Sequence, residues 1–401
     1  GHRRLLAPAV LFRLGGEYRW GQQAAMPDTS VPGPSSIRDP ESRVSLDNGW
    51  VQIAWPEGSG LTFRLGRQDL AYGEGFLIFD GTPADGSSSS YFDALKASWA
   101  HGPYRVDAFA AKLLDQGFGS GGRDEDFHGL YAVRALPRFP AANVEAYALH
   151  RFQRGPEFAP SRPPGRVLSG RQWTGALGAR FSSLPETGPQ LAVEGAYQAG
   201  EVDEKTGAVF GERWRRVDRR AFGGYARLGA ISPARGRPAG EFGALYLSGG
   251  RDGEDNRSWD PFYSEWPKWS ELLIYTMYDL TTRHPEDRRR GDAGAWTNLL
   301  ALWAEFRIEP ASGTKAAVRG TLLRSAEGED FADAGSDSRE RGFLIAARLE
   351  QALPGGATVQ LLGERFEPGG FYDRRVFSGD GARTFEADPA WYARLQLAAG
   401  F

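Results

Sequence analysis

Two alternations constrain this chain more than any other feature. Along most of its length apolar and polar residues alternate with a period of two, the pattern of strands with one apolar and one polar face. Phe12, Leu14, Gly16, Tyr18 and Trp20 alternate with Arg13, Gly15, Glu17 and Arg19, and Leu61, Phe63 and Leu65 alternate with Thr62, Arg64 and Gly66. The pattern returns in Leu177, Ala179 and Phe181 around Arg180, in Leu191, Val193 and Gly195 around Glu194, and in Leu300 to Ile308 around Glu305 and Arg307. The connections alternate as well. Short Pro/Gly turns at 56–60, 101–103, 137–141, 184–189, 231–239, 310–314 and 352–356 are separated by long polar loops near 21–41, 69–90, 114–125, 153–170, 200–219, 251–293, 326–338 and 368–388. Eight loops and seven turns predict sixteen antiparallel strands in one domain spanning 1–401, with both termini on the side of the short turns. Short turns on one side and long loops on the other describe an up-and-down transmembrane β-barrel of the bacterial outer membrane, all-β, with turns in the periplasm and loops outside the cell.

Composition agrees where it bears on this. No run approaches the length of a membrane-spanning helix, and the mean hydropathy of -0.46 would suit a soluble protein. A barrel hides in this way because half of each strand faces water. The 53 Gly, 12 Trp, 14 Tyr and 24 Phe beside 25% charged residues fit an apolar outside, aromatic girdles and a polar lumen. The competing all-β reading is a soluble propeller, since the turns recur about every 45 residues. No blade motif repeats, however, and an Arg or Glu in mid-strand suits a watery lumen better than a propeller core. The start, Gly1-His2-Arg3, reads as a processed end from which the export signal has been removed, and the alternating strand from Trp391 to Phe401 resembles the C-terminal delivery signal of outer-membrane proteins.

Taking the polar phase of each strand as inward places Arg13, Arg43, Arg64, Arg134, Arg180, Arg227, Arg307, Arg319, Arg348, Arg365 and Arg394 on the pore wall, with Glu17, Asp47, Asp93, Glu194 and Glu305 among them. Of the 48 basic residues only those at 96, 112, 205, 268 and 315 are Lys, although the net charge is just -3. Guanidinium stays charged at any biological pH and offers paired donors to a carboxylate, so a row of such sites would pass an anion from one to the next. The bland reading of any one of these residues is an ion pair that stiffens the wall.

Chemistry is otherwise sparse. Cysteine is absent, the histidines at 2, 101, 128, 150 and 284 lack metal-ligand spacing, and no nucleophile motif occurs, so no enzymatic function and no cofactor are expected. The glycines at 117–122 precede no helical pattern and read as an outer loop rather than a phosphate cradle. Asp124-Glu125-Asp126 and Asp252-Gly253-Glu254-Asp255 could offer oxygen ligands to Ca²⁺, although acidic runs of this kind are usually solvated loop tips.

One block is more specific. Gly60-Leu61-Thr62-Phe63-Arg64-Leu65-Gly66-Arg67-Gln68-Asp69-Leu70-Ala71-Tyr72-Gly73-Glu74-Gly75-Phe76-Leu77-Ile78, followed by Tyr91-Phe92-Asp93-Ala94-Leu95-Lys96, resembles the signature of the alginate-export porin family, and Ala295 to Leu300 is a looser likeness. The resemblance implies an outer-membrane barrel that secretes a polyuronate through an electropositive constriction of inward arginines and a few acids. It assigns Arg64, Arg67 and Asp93 to the substrate path. The family's best-known architecture has eighteen strands, against the sixteen counted here. The expected function is passive passage of an anionic polysaccharide or oligosaccharide, by a monomer embedded in outer-membrane lipid and fed by periplasmic secretion proteins, with no nucleic-acid partner. The alternatives are a small-anion porin, or a surface-binding or structural barrel plugged by its own loops, chiefly 251–293.

Overall fold

The computed structural model describes residues 9–17, 43–54, 58–79, 92–113, 125–139, 141–154, 171–206, 213–249, 251–252, 255–264, 270, 297–327, 338–372, 374–378, 381–385 and 388–399. In chain order the strands are β1 (Ala9–Glu17), β2 (Arg43–Ala54), β3 (Leu61–Gln68), β4 (Phe92–His101), β5 (Tyr104–Leu113), β6 (Glu125–Ala135), β7 (Ala142–Arg154), β8 (Arg171–Ser183), β9 (Gly188–Thr206), β10 (Arg213–Ile231) and β11 (Ala239–Leu247). Two short pieces follow, β12 (Arg251–Asp252) and β13 (Asp255–Asn256), then β14 (Leu299–Ala311), β15 (Thr314–Arg324), β16 (Glu340–Ala352), β17 (Thr358–Pro368), β18 (Arg374–Ser378), β19 (Gly381–Phe385) and β20 (Ala390–Ala398).

Sixteen of these strands form one continuous antiparallel meander, β1 to β11, then β14 to β17, then β20, each paired with its predecessor. The pieces left over belong to two long connections: β12 pairs with β13, and β18 with β19. This is the up-and-down barrel arrangement that the loops and turns predict, with sixteen wall strands among the described residues. Each short turn joins partners that remain paired almost to the bend, as in His101↔Tyr104 and Ile231↔Ala239.

Burial along the strands is inverted relative to a soluble protein. On β8, Thr174, Ala176, Arg180 and Ser182 are buried, whereas Leu177 between them is 66% exposed. On β9, Ala192, Glu194, Ala196 and Gln198 are buried while Val193 and Tyr197 lie on the surface. Phe242 on β11 and Leu395 on β20 are 70% and 71% exposed. An apolar band repeated around the whole sheet, over a buried polar lining, is stable only with lipid outside.

Within the lumen, large rings are accommodated by glycines directly opposite. Tyr147 pairs with Gly178, where a Cβ would stand 2.3 Å from the ring, and Trp303 pairs with Gly243, where it would stand 2.0 Å away. One expected loop, 200–219, is corrected. β9 and β10 continue through most of it, paired from Gly200↔Arg219 to Thr206↔Arg213. Its charges mislead because Arg216, Asp218 and Arg220 are exposed on the outer face while Val217 and Arg219 are buried behind them. A strand rising above the bilayer can be charged outside as well as inside.

The lipid-facing reading of Leu177 is testable. Leu177→Arg should lower unfolding stability in a bilayer by about 2–4 kcal/mol, measured by denaturant titration in vesicles, and a change near zero would place that face in water.

Candidate functional site

Two of the long connections fold back into the lumen. After β3, residues 69–79 make a compact turn in which the Gly75 amide donates to the Tyr72 carbonyl at 3.0 Å and the Tyr72 amide to the Ile78 carbonyl at 3.2 Å. The second segment, 255–264, meets the first: the Tyr263 amide donates to the Leu77 carbonyl at 3.0 Å, and the Phe79 amide to the Tyr263 carbonyl at 3.2 Å. Leu70, Phe76, Leu77, Ile78, Trp259 and Phe262 from these segments are buried against the inward rings of Phe92, Phe109 and Phe127. Trp259 stacks on Phe76 at 5.3 Å and covers Gly223 of β10. Burial, and then the Glu125 carboxylate, hold the Tyr263 phenol well above its ordinary pKa, so it remains a donor to Glu125 at 2.8 Å.

Each segment delivers one carboxylate to wall arginines. Asp260 is almost fully enclosed and accepts from Arg219 at 2.5 Å, from Arg151 and from Thr174, while Gln198 bonds its main chain from both amide atoms. Glu74 accepts from Arg180 and Arg227, each at 3.1 Å. Gly73, with φ of +58°, makes this approach possible: a Cβ there would lie 3.2 Å from the Tyr131 hydroxyl and 3.3 Å from the Arg180 side chain.

Below the segments runs a belt of charge. Arg180 donates to Glu145, to the Ser182 hydroxyl at 3.0 Å and to the Tyr225 hydroxyl at 3.1 Å, and lies 3.7 Å from Glu194. Tyr147 donates to Glu194 at 2.9 Å and Tyr131 to Glu145. Glu241 accepts from Arg227 at 2.8 Å and from the Trp303 indole at 3.0 Å, and Glu305 pairs with Arg319 at 2.6 Å and Arg307 at 3.1 Å. Five carboxylates (Glu74, Glu145, Glu194, Glu241, Glu305) thus meet four guanidiniums (Arg180, Arg227, Arg307, Arg319). Arg180, Glu194, Arg227, Glu305, Arg307 and Arg319, all expected in the polar phase, meet one another here as an ion-pair network rather than as a row of open anion sites.

On the neighbouring strands, inward arginines meet side-chain amides. Arg64 is held by Gln52 Oε1 at 2.9 and 2.7 Å and lies over the Trp50 ring at 4.0 Å. Arg394 is held by Gln360 Oε1 at 2.7 Å. Arg348 shares the inward phase of Leu344 and Ala346 and stays exposed. An amide acceptor orients a guanidinium without cancelling its charge.

Four expected pore residues are corrected by register. Arg67 and Asp93 pair with each other at 2.9 Å on the face carrying Leu65 and Leu95, the outer one. Arg134 shares the phase of Leu130 and lies over Tyr104, 5.5 Å from the ring centre, beside the short turns. Arg365 shares the phase of Leu361, pairs with Glu367 and stacks on the exposed Trp391 ring at 4.5 Å. All four are near strand ends, where the outer face meets water and charge is tolerated there too. The side chains of Arg13, Arg43, Glu17 and Asp47 lie outside the described residues. Of the suggested calcium ligands, Glu125 accepts from Tyr263 and Gln153, Asp126 pairs with Lys112 at 3.3 Å and Asp255 with Arg220 at 3.2 Å. Asp124, Asp252 and Glu254 have no described side chains.

Fold and lining define a sixteen-stranded outer-membrane barrel whose lumen is partly filled by its own loops. The sequence profile described as Alginate export matches residues 2–284, well over half of the chain, and the chain belongs to that family. Among solved structures it is similar to Wzi of Escherichia coli, described as an outer-membrane protein involved in group 1 capsule assembly and a carbohydrate-binding β-barrel. That likeness has 10% identity and a TM-score of 0.44 and covers 90% of this chain and 72% of the other. No curated protein matches.

Replacing Asp260 by Ala would leave Arg151 and Arg219 buried without their shared carboxylate. A loss of about 3–5 kcal/mol is expected, together with new protease cleavage near 255–264. Unchanged stability and cleavage would mean that Asp260 does not hold the segment.

Proposed function

We propose that this barrel lets an anionic polysaccharide of the polyuronate class cross the outer membrane passively, along the inward faces of β2 and β3 and of β16, β17 and β20. One observation carries the reading: Arg64 is held by the neutral amide of Gln52, which orients its guanidinium without cancelling the charge. Arg348 adds an exposed guanidinium in the same inward phase. A cationic wall beside low-dielectric protein concentrates anions, and sites reached by water bind weakly enough to release them. Membership of the alginate export family supports the same class of solute. The reading involves no catalysis, metal or cofactor. The protein acts as a monomer in outer-membrane lipid, with supply from periplasmic secretion proteins as the driving force.

A second reading, a surface-binding or structural barrel closed by its own loops, draws on the seating of Glu74 and Asp260. A third, a general small-anion porin, needs only the cationic wall. Planar-bilayer recording separates them: anion-selective current blocked by uronate oligomers is expected, anion current without block supports the porin, and no current supports the closed barrel.

Changing Gln52→Glu and Gln360→Glu together converts both amide acceptors to carboxylates with little change in shape. The reversal potential in a salt gradient should move toward cation preference by a several-fold change in permeability ratio. If it stays where it was, the amide-held arginines do not set selectivity.

A further inference from the structure

A separate cavity of about 430 Å³ opens inside the lumen at the short-turn end of β5 to β8. Its roof is the loop at Ala71–Gly73, and its walls carry Arg105, Asp107, Asn143, Glu145, Arg180 and Ser182. Ala141 and Leu184, beside the periplasmic turns, line its lower edge. The volume is that of a small-molecule site. Its charges are already satisfied: Arg105 donates to Asp107 at 2.6 Å, and the three nitrogens of Arg180 are engaged by Glu145, Ser182, Tyr225 and Glu74. A carboxylate entering here would find no vacant guanidinium and would face Asp107 and Glu145. Asn143, directly opposite Ser182 across β7 and β8, points inward and has no hydrogen bond among the described residues. Both faces of Tyr131 are covered, by Tyr72 at 4.4 Å and Tyr147 at 5.4 Å, so recognition there rests on hydrogen bonds rather than ring stacking.

We infer that this cavity binds an uncharged, hydroxyl-bearing sugar residue entering from the periplasmic end, with Asn143 and Ser182 bonding its hydroxyls and Asp107 and Glu145 accepting from others. The site is distinct from the cationic wall and selects against the carboxylates which that wall attracts. The inference rests on the saccharide reading above, and it divides the lumen into an acid-accepting path and a hydroxyl-accepting pocket.

The test is calorimetric titration of the full chain in detergent with two probes of one backbone, mannohexaose and hexamannuronate. Wild type should bind both. The double variant Asn143→Ala/Ser182→Ala should lose at least tenfold in mannohexaose affinity and keep its hexamannuronate affinity. Asn143→Leu, which fills the cavity from one position, should do the same and stands in if the double variant does not fold. Mannohexaose binding that is absent in wild type, or unaffected by the variants that fold, overturns the pocket, as does an equal loss for both probes. If hexamannuronate still binds while mannohexaose does not, the pocket falls and the proposed transport of polyuronate stands. If neither binds, both fall.

Discussion

The ladder of main-chain hydrogen bonds from β1 to β20 is the constraint on which everything else depends. In hydrocarbon each unpaired amide or carbonyl costs several kcal/mol, so neighbouring strands must stay in register along the whole membrane depth. Register fixes phase, and phase decides which side chain meets lipid and which meets the lumen. Leu177 and Arg180 lie on one strand three residues apart; the ladder alone sends one outward and the other into a cage of carboxylates and hydroxyls.

The lumen then divides by how its guanidiniums are compensated. Buried arginines require carboxylates, because an unpaired charge in low dielectric is prohibitive. Arg151, Arg219, Arg180 and Arg227 obtain them partly from loops, through Asp260 and Glu74. Arg64 instead meets the amide of Gln52, which orients it without neutralising it. The same residue type therefore meets a carboxylate at some lumen positions and an amide at others, as Glu or Gln stands beside it.

The fold was legible because period-two patterning and the short-turn, long-loop rhythm are properties of neighbouring residues. The sixteen strands follow from them directly. The site was legible only in part. Polar residues in mid-strand, such as Arg180 and Glu305, lie on the less exposed face of their strands, since lipid forbids them the outer one. Near strand ends that prohibition lapses, and Arg67, Asp93, Arg134 and Arg365 turned out to be outside. The extent of β9 and β10 was hidden for the same reason, by charges at Arg216, Asp218 and Arg220. Glu74 stood in the family-like block, yet its partner Arg227 is 153 residues away, and no local pattern announces such a meeting. Gln52 and Gln360 were passed over because an amide in a polar phase looks ordinary until its neighbour is known.

That distance in sequence has a further consequence, for the order of assembly. The carboxylate of Glu74 emerges from the chain long before β10 exists to receive it, and Asp260 must return to Arg151, 109 residues earlier. Closing such long spans costs entropy that only finished neighbours can offset. The wall therefore has to be built first and the two inner segments docked afterwards, as the final act of maturation. Without Glu74 and Asp260 in place, Arg151, Arg219, Arg180 and Arg227 would have fewer carboxylates to offset them.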